Sequence, residues 1–228
     1  MDQNKNLTVK EIFILAHQNH QQNKLKEATN YYNQVLKIEP NHSQALNNIA
    51  LIFANSQEFQ KAKNCYKKVI EINPKYEDAH NNLGTVFYQL GENQKAKNCY
   101  EKAIEINPNY ADAHNNLGTV FYQLGENQKA KNCYEKAIEI NPNYADAHNN
   151  LGKVYKLIYN HKKSVEHYHK ALVNRSDINL EISKEKKQEL QPATSSFFLE
   201  LTNKCNFHCE FCPSDSQTRL HGYMEMSL

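Results

Sequence analysis

The sequence predicts a mostly α-helical solenoid of five helix-turn-helix units, followed by a short segment of different character that opens with a strand and a cysteine-bearing loop. Two observations predict the solenoid. Four of the six prolines, Pro40, Pro74, Pro108 and Pro142, are evenly spaced, and Cys65, Cys99 and Cys133 keep the same interval. Asp78 to Ala111 is identical, letter for letter, to Asp112 to Ala145, the mark of an internal duplication. A fixed period of this length means supersecondary units that bury their apolar faces on one another. The third observation concerns the tail, where the period stops and three further cysteines crowd into one loop.

Taken in chain order, residues 1–8 form an N-terminal extension and residues 9–178 hold the five units. In the unit from Ala111 to Tyr144, Leu117, Gly118 and Phe121 share one helical face, Gly125 breaks it, and Ala130, Tyr134 and Ala137 form a second face. Small Gly118 and Ala130 let two helices approach, with Phe121 and Tyr134 filling the space beside them. Pro142 lacks an amide hydrogen and disfavours a helical Asn141, so the second helix ends there.

These residues resemble the tetratricopeptide repeat family, whose signature places Leu-Gly, an aromatic, Ala, an aromatic, Ala and Pro at set offsets within a unit of about 34 residues. The second unit keeps Phe53, Ala62, Tyr66 and Pro74 but has Ile49-Ala50 for Leu-Gly, and the first has Leu15-Ala16 with Asn19 at an aromatic position. In the fifth, Tyr159 replaces the turn glycine, Ser164 the tight alanine and Ser176 the proline. Terminal units face water on one side, so degenerate ends are expected.

The resemblance implies that first helices line a concave groove, into which the residue before each Leu-Gly pair projects. Those residues are Asn48, Asn82, Asn116 and Asn150. Each carboxamide offers one acceptor and two donor hydrogens, which suits an extended peptide backbone. The ladder is similar to that in the superhelical repeats of the O-linked N-acetylglucosamine transferase, and a peptide or protein partner is the expectation; solvated asparagines on a polar face are the alternative. Neighbouring groove positions hold Asp78, Asp112, Asp146, Tyr88 and Tyr122, with Lys153 the lysine among them. The once-per-repeat sets His80, His114, His148 and Cys65, Cys99, Cys133 are read as packing residues. His167 and His169 lie two apart on a helix, on different faces, and chelation by that pair is not expected. His17 and His20 share a face but lack a third ligand.

Residues 179–193 read as a charged linker or capping helix, and residues 194–228 as a new domain start. Phe197 to Leu201 is a short strand, Thr202-Asn203 a turn, and Cys205, Cys209 and Cys212 follow in CxxxCxxC spacing. Three thiolates leave one iron of a [4Fe-4S] cube without a protein ligand. The strand, the loop and Phe211 before the third cysteine resemble the radical S-adenosylmethionine enzymes, and Gly222-Tyr223-Met224 is similar to members that modify peptides. The resemblance implies cluster ligation by Cys205, Cys209 and Cys212, S-adenosylmethionine on the free iron, and Phe211 near the adenine. It implies one-electron cleavage of the sulfonium to a radical that abstracts a substrate hydrogen. A zinc site that adds His208 or His221 to the thiols stays open as the alternative. The family's partial (β/α) barrel has about six strand-helix units, of which residues 194–228 hold the first, so this 228-residue chain is not expected to turn over alone. The function expected is a repeat array that captures a peptide or protein for such a domain, or, as the alternative, a non-enzymatic scaffold.

Composition narrows the partners. With 27 Lys+Arg against 25 Asp+Glu, and only Arg175 and Arg219 as arginines, no nucleic-acid case arises. No apolar run reaches the roughly 18 residues that span a bilayer, and no cleavage site follows Ile12 to Ala16. The expectation is a cytoplasmic protein with reduced thiols.

Overall fold

In the computed structural model, which describes residues 7–174, ten α-helices follow one another at a constant phase. They are α1 (Val9–Gln21), α2 (Leu25–Ile38), α3 (Ser43–Asn55), α4 (Phe59–Ile72), α5 (Glu77–Gln89), α6 (Asn93–Ile106), α7 (Ala111–Gln123), α8 (Asn127–Ile140), α9 (Ala145–Leu157) and α10 (His161–Asn174). Each odd-numbered helix packs on the even-numbered one that follows it, and each even-numbered helix packs on the next odd-numbered one. The odd helices also touch along one face, α3 on α5, α5 on α7 and α7 on α9. No strand occurs among the described residues.

The turn inside each unit has one recurring requirement. Asn23, Gln57, Gly91, Gly125 and Tyr159, one to a unit at the same position, all take positive φ, between 58° and 75°. The amide of the next residue then closes back on the helix, as from Glu92 to the Phe87 carbonyl and from Asn160 to that of Tyr155. This closure satisfies carbonyls at the helix end and calls for a left-handed residue, which glycine adopts without steric cost. The fifth unit keeps the conformation although its glycine is replaced by Tyr159, a side chain 82% exposed.

Between units the constraint is different. Asn73, Asn107 and Asn141 end their helices with extended backbone, the conformation a following proline demands. Each Asn side chain then accepts a hydrogen bond from the amide two residues on, in Lys75, Asn109 and Asn143. These turns are rigid and identical, so one unit passes its orientation to the next.

The core is a column of tyrosines set against small residues. Tyr32, Tyr66, Tyr100 and Tyr134 are at most 2% exposed. A Cβ built on Gly118 would lie 2.7 Å from the Tyr134 ring, and Gly84 and Gly152 stand in the same relation to Tyr100 and Tyr168. Gly118 therefore makes room for a ring rather than for a helix backbone alone. Ala28, Ala62, Ala96 and Ala130 are fully buried on the second helices. Ser164 takes that slot in the fifth unit, and its Oγ donates to the Gly152 carbonyl at 2.9 Å, so the buried hydroxyl is satisfied.

Three outcomes are expected in urea denaturation. Ala16 and Ala50 show that the glycine slot takes a methyl, so Gly118→Ala should be near neutral, whereas Gly118→Val, which drives a branched carbon into Tyr134, should cost about 2 kcal/mol. Tyr159→Gly should raise stability by about 1 kcal/mol, because it removes left-handed strain and loses little packing.

Candidate functional site

The face shared by α3, α5, α7 and α9 carries the predicted ladder, and Asn48, Asn82, Asn116 and Asn150 are half-buried there. The structure adds a second asparagine row that sequence reasoning missed. Asn47, Asn81 and Asn115 precede the ladder residues and are only 6–7% exposed. Asn116 Nδ2 donates to Asn81 Oδ1 at 3.1 Å, and Asn150 Nδ2 donates to Asn115 Oδ1 at 3.1 Å. A buried carboxamide oxygen without a donor is costly, and the next repeat supplies one. Asn116 and Asn150 thus zip neighbouring repeats together. An amide nitrogen carries two hydrogens, so each zipper bond uses half of that donor capacity. The signal in the sequence is the doubled Asn-Asn at these positions, of which the groove reading uses only the second member.

The ends of the ladder differ. Asn48 Nδ2 donates to the Tyr32 hydroxyl at 3.0 Å, and Lys153 Nζ reaches Asn150 Oδ1 at 3.2 Å. Asn82 accepts from its own neighbour Asn81 at 3.4 Å, and Asn47 Oδ1 is left buried without a partner.

The groove aspartates also brace repeats. The Tyr110 hydroxyl donates to Asp78 at 2.6 Å, and Tyr144 makes the equivalent bond to Asp112. Burial, then the nearby carboxylate, pushes both tyrosine hydroxyls far above their ordinary range, so they remain donors. Tyr88 and Tyr122 are partly buried against the core.

The histidines and cysteines of the repeats pack, and one pair does more. Nε2 of His80, His114 and His148 lies 3.0 Å from the carbonyls of Pro74, Pro108 and Pro142, which can only accept. Each Nε2 therefore carries the proton. Burial pushes Cys99 and Cys133 up to about 11, which keeps them as protonated thiols. His167 occupies the cysteine slot of the fifth unit, and its Nδ1 lies 2.9 Å from His148 Nδ1. One hydrogen bond therefore links the two Nδ1 atoms, one ring donating and the other accepting. Tyr155 stacks on His167 with ring centroids 5.4 Å apart. This pairing crosses from α9 to α10 and could not be read from spacing along either helix.

Among the described residues no group of three or more His, Cys, Asp or Glu could hold a metal ion, and no helix is long and apolar enough to cross a membrane. The cluster residues read from sequence, Cys205, Cys209 and Cys212, with Phe211, lie outside the described residues, as do the predicted strand at residues 197–201 and the linker.

Comparison with known families decides what the helix pairs are. Residues 52–91, 84–125 and 118–158 match the TPR repeat family, and residues 13–42 match a further tetratricopeptide repeat family. These helix pairs are tetratricopeptide repeats. No curated protein matches the chain. Among solved structures the TPR array is similar to the MamA protein at 26% identity and TM-score 0.62, over 82% of this chain and 97% of that one. It is similar to YrrB, described as a TPR protein with an unusual peptide-binding site, at 23% identity and TM-score 0.57, over 75% and 88%. PilF of Pseudomonas aeruginosa aligns at 19% identity and TM-score 0.68, over 73% and 76%. The last two likenesses are of fold.

Burial of His167 beside His148 leads us to expect an acid-sensitive last TPR unit. Burial, then His148 and Lys170, lowers His167 to about 4 against the pull of Glu166 and Glu135, so between pH 6.5 and 4 the unfolded chain binds the extra proton. Stability should be fully present above pH 6.5 and fall toward pH 4. In thermal melts across that window, His167→Gln should flatten the decline.

Proposed function

We propose that the TPR array is a docking scaffold that holds extended peptide segments of partner proteins along the face of α3, α5, α7 and α9. The observation that carries this is the asparagine row, one carboxamide at the same helix position in each of the last four repeats, with Asn116 and Asn150 oriented by bonds to the preceding repeat. Neighbouring helix axes lie about 9 Å apart and an extended chain advances about 3.3 Å per residue, so each asparagine meets a peptide group about every third residue. A side chain already fixed by a neighbour loses little entropy on binding, which raises affinity. The peptide-binding site named for YrrB belongs to that protein, and this chain shares its fold.

The groove is tested with displayed linear peptides and an Asn82→Ala, Asn116→Ala, Asn150→Ala variant. Loss of capture at unchanged helicity is the expected result; capture as strong as that of the parent chain excludes the asparagine row as the contact.

A second reading extends the first and rests on the tail. The donor set of Cys205, Cys209 and Cys212 would suit three corners of a [4Fe-4S] cube, the fourth would be left for S-adenosylmethionine, and Phe211 would serve its adenine. Such a group supplies radical hydrogen abstraction, and the TPR array would bind the peptide or protein to be modified. Three thiols that must stay reduced would call for a reducing compartment such as the cytoplasm. Anaerobic reconstitution with iron and sulfide should give broad visible absorbance that Cys205→Ala, Cys209→Ala, Cys212→Ala abolishes. Colourless protein that takes up zinc instead would overturn the cluster.

A further inference from the structure

Among the differences between the second repeat and the next two, two loss-of-partner changes, at Leu51 and Ala54, open onto one cleft. Thr85 and Thr119 accept hydrogen bonds from the hydroxyls of Tyr100 and Tyr134, at 3.2 and 3.3 Å. The equivalent residue in the second repeat is Leu51. Tyr66, fully buried, consequently has a hydroxyl with no partner. An unmade bond of this kind costs about 1–3 kcal/mol, a cost the third and fourth repeats avoid. Three residues further on, Ala54 stands where the next two repeats have Tyr88 and Tyr122. The missing ring leaves a cleft of about 440 Å³ between α3 and α5, with Tyr66 in its lining.

The lining says what fits. Leu51, Ala54 and Phe59 give apolar walls, Asn82 and Gln89 add amides, and none of the lining side chains is charged. A charged side chain would lose its hydration there without a counter-ion. A small carboxamide would answer the Tyr66 hydroxyl but leave the walls uncovered. An aromatic ring with a hydroxyl at its end meets both demands, and the protein itself places that side chain at this position in the two following repeats.

We propose that the cleft between α3 and α5 is a specificity pocket for a tyrosine of the bound peptide, whose ring takes the place of the missing Tyr88 equivalent and whose hydroxyl pairs with Tyr66. The inference rests on the peptide-docking reading and adds the residue that is recognised. Asn82, at the edge of the same cleft, would hold the peptide backbone beside the inserted ring.

The test uses the full chain and a displayed library of random linear peptides, followed by affinity measurement on the enriched peptide and on its Tyr→Phe form. Enrichment of a tyrosine at one fixed position is expected. The double variant Leu51→Thr, Ala54→Tyr gives the second repeat the third repeat's residues at the two cleft positions and supplies the Tyr66 hydroxyl with a partner, so it should melt no lower than the parent, and it should bind at least ten-fold more weakly. Tyr66→Phe should melt at or above the parent temperature. It should weaken the tyrosine peptide about two- to ten-fold, the value of one hydrogen bond, and leave the phenylalanine peptide unchanged. Enriched peptides that lack a fixed tyrosine, or that bind the double variant as well as the parent, overturn the pocket and leave the groove standing. A library that yields no binder at all overturns the groove and the pocket together.

Discussion

The contact on which the array depends is that of a tyrosine ring lying on a residue with little or no side chain. At Gly84, Gly118 and Gly152 the ring of the partner helix occupies the volume a Cβ would need. That contact sets how near the two helices of a hairpin come and which residues then face outward. The fully buried alanines on the second helices serve the same closeness from the other side. Dense packing of this sort cannot deform gradually, so each hairpin has one geometry. Because the geometry recurs from unit to unit, the outward residues form regular rows, and a row is what an extended ligand can follow.

Rigid turns transmit the phase. Within a unit the left-handed residue sends the chain back, and between units the Asn-Pro pair stops one helix and aims the next. Tyr159 shows that the hairpin dictates this conformation, since it is kept where the residue opposes it. Polar groups then tie neighbours together. Tyr110 to Asp78, Asn116 to Asn81 and Asn150 to Asn115 each join one repeat to the next. In the proposed docking mode the same groups that stiffen the stack would meet the ligand, which would couple recognition to the order of the array.

Most of the fold is legible in the letters, because it depends on features with one local meaning. Proline stops a helix, glycine permits a left-handed turn, and alanine or glycine at helical spacing marks a close face. What stays hidden depends on offsets between helices. Asn81 and Asn116 lie 35 residues apart, and whether they meet depends on the rise from one unit to the next. His148 and His167 sit on separate helices, each unremarkable on its own. The letters place the asparagine row on the first helices but not its bonds to neighbouring repeats, and two of the aspartates read as groove lining, Asp78 and Asp112, also brace repeats. The void beside Ala54 is visible only against Tyr88 and Tyr122, once their common position in the stack is known.

The two identical stretches, Asp78 to Ala111 and Asp112 to Ala145, have a consequence for how the protein can vary. Each is a complete cassette, with a start and an end that match its twin. Excising one brings the second repeat against a surface like the one it already meets, and inserting another adds one step to the staircase without creating a new kind of joint. Length is therefore the property most easily altered in this molecule, and the span of a ligand it can accommodate would be adjusted in whole steps.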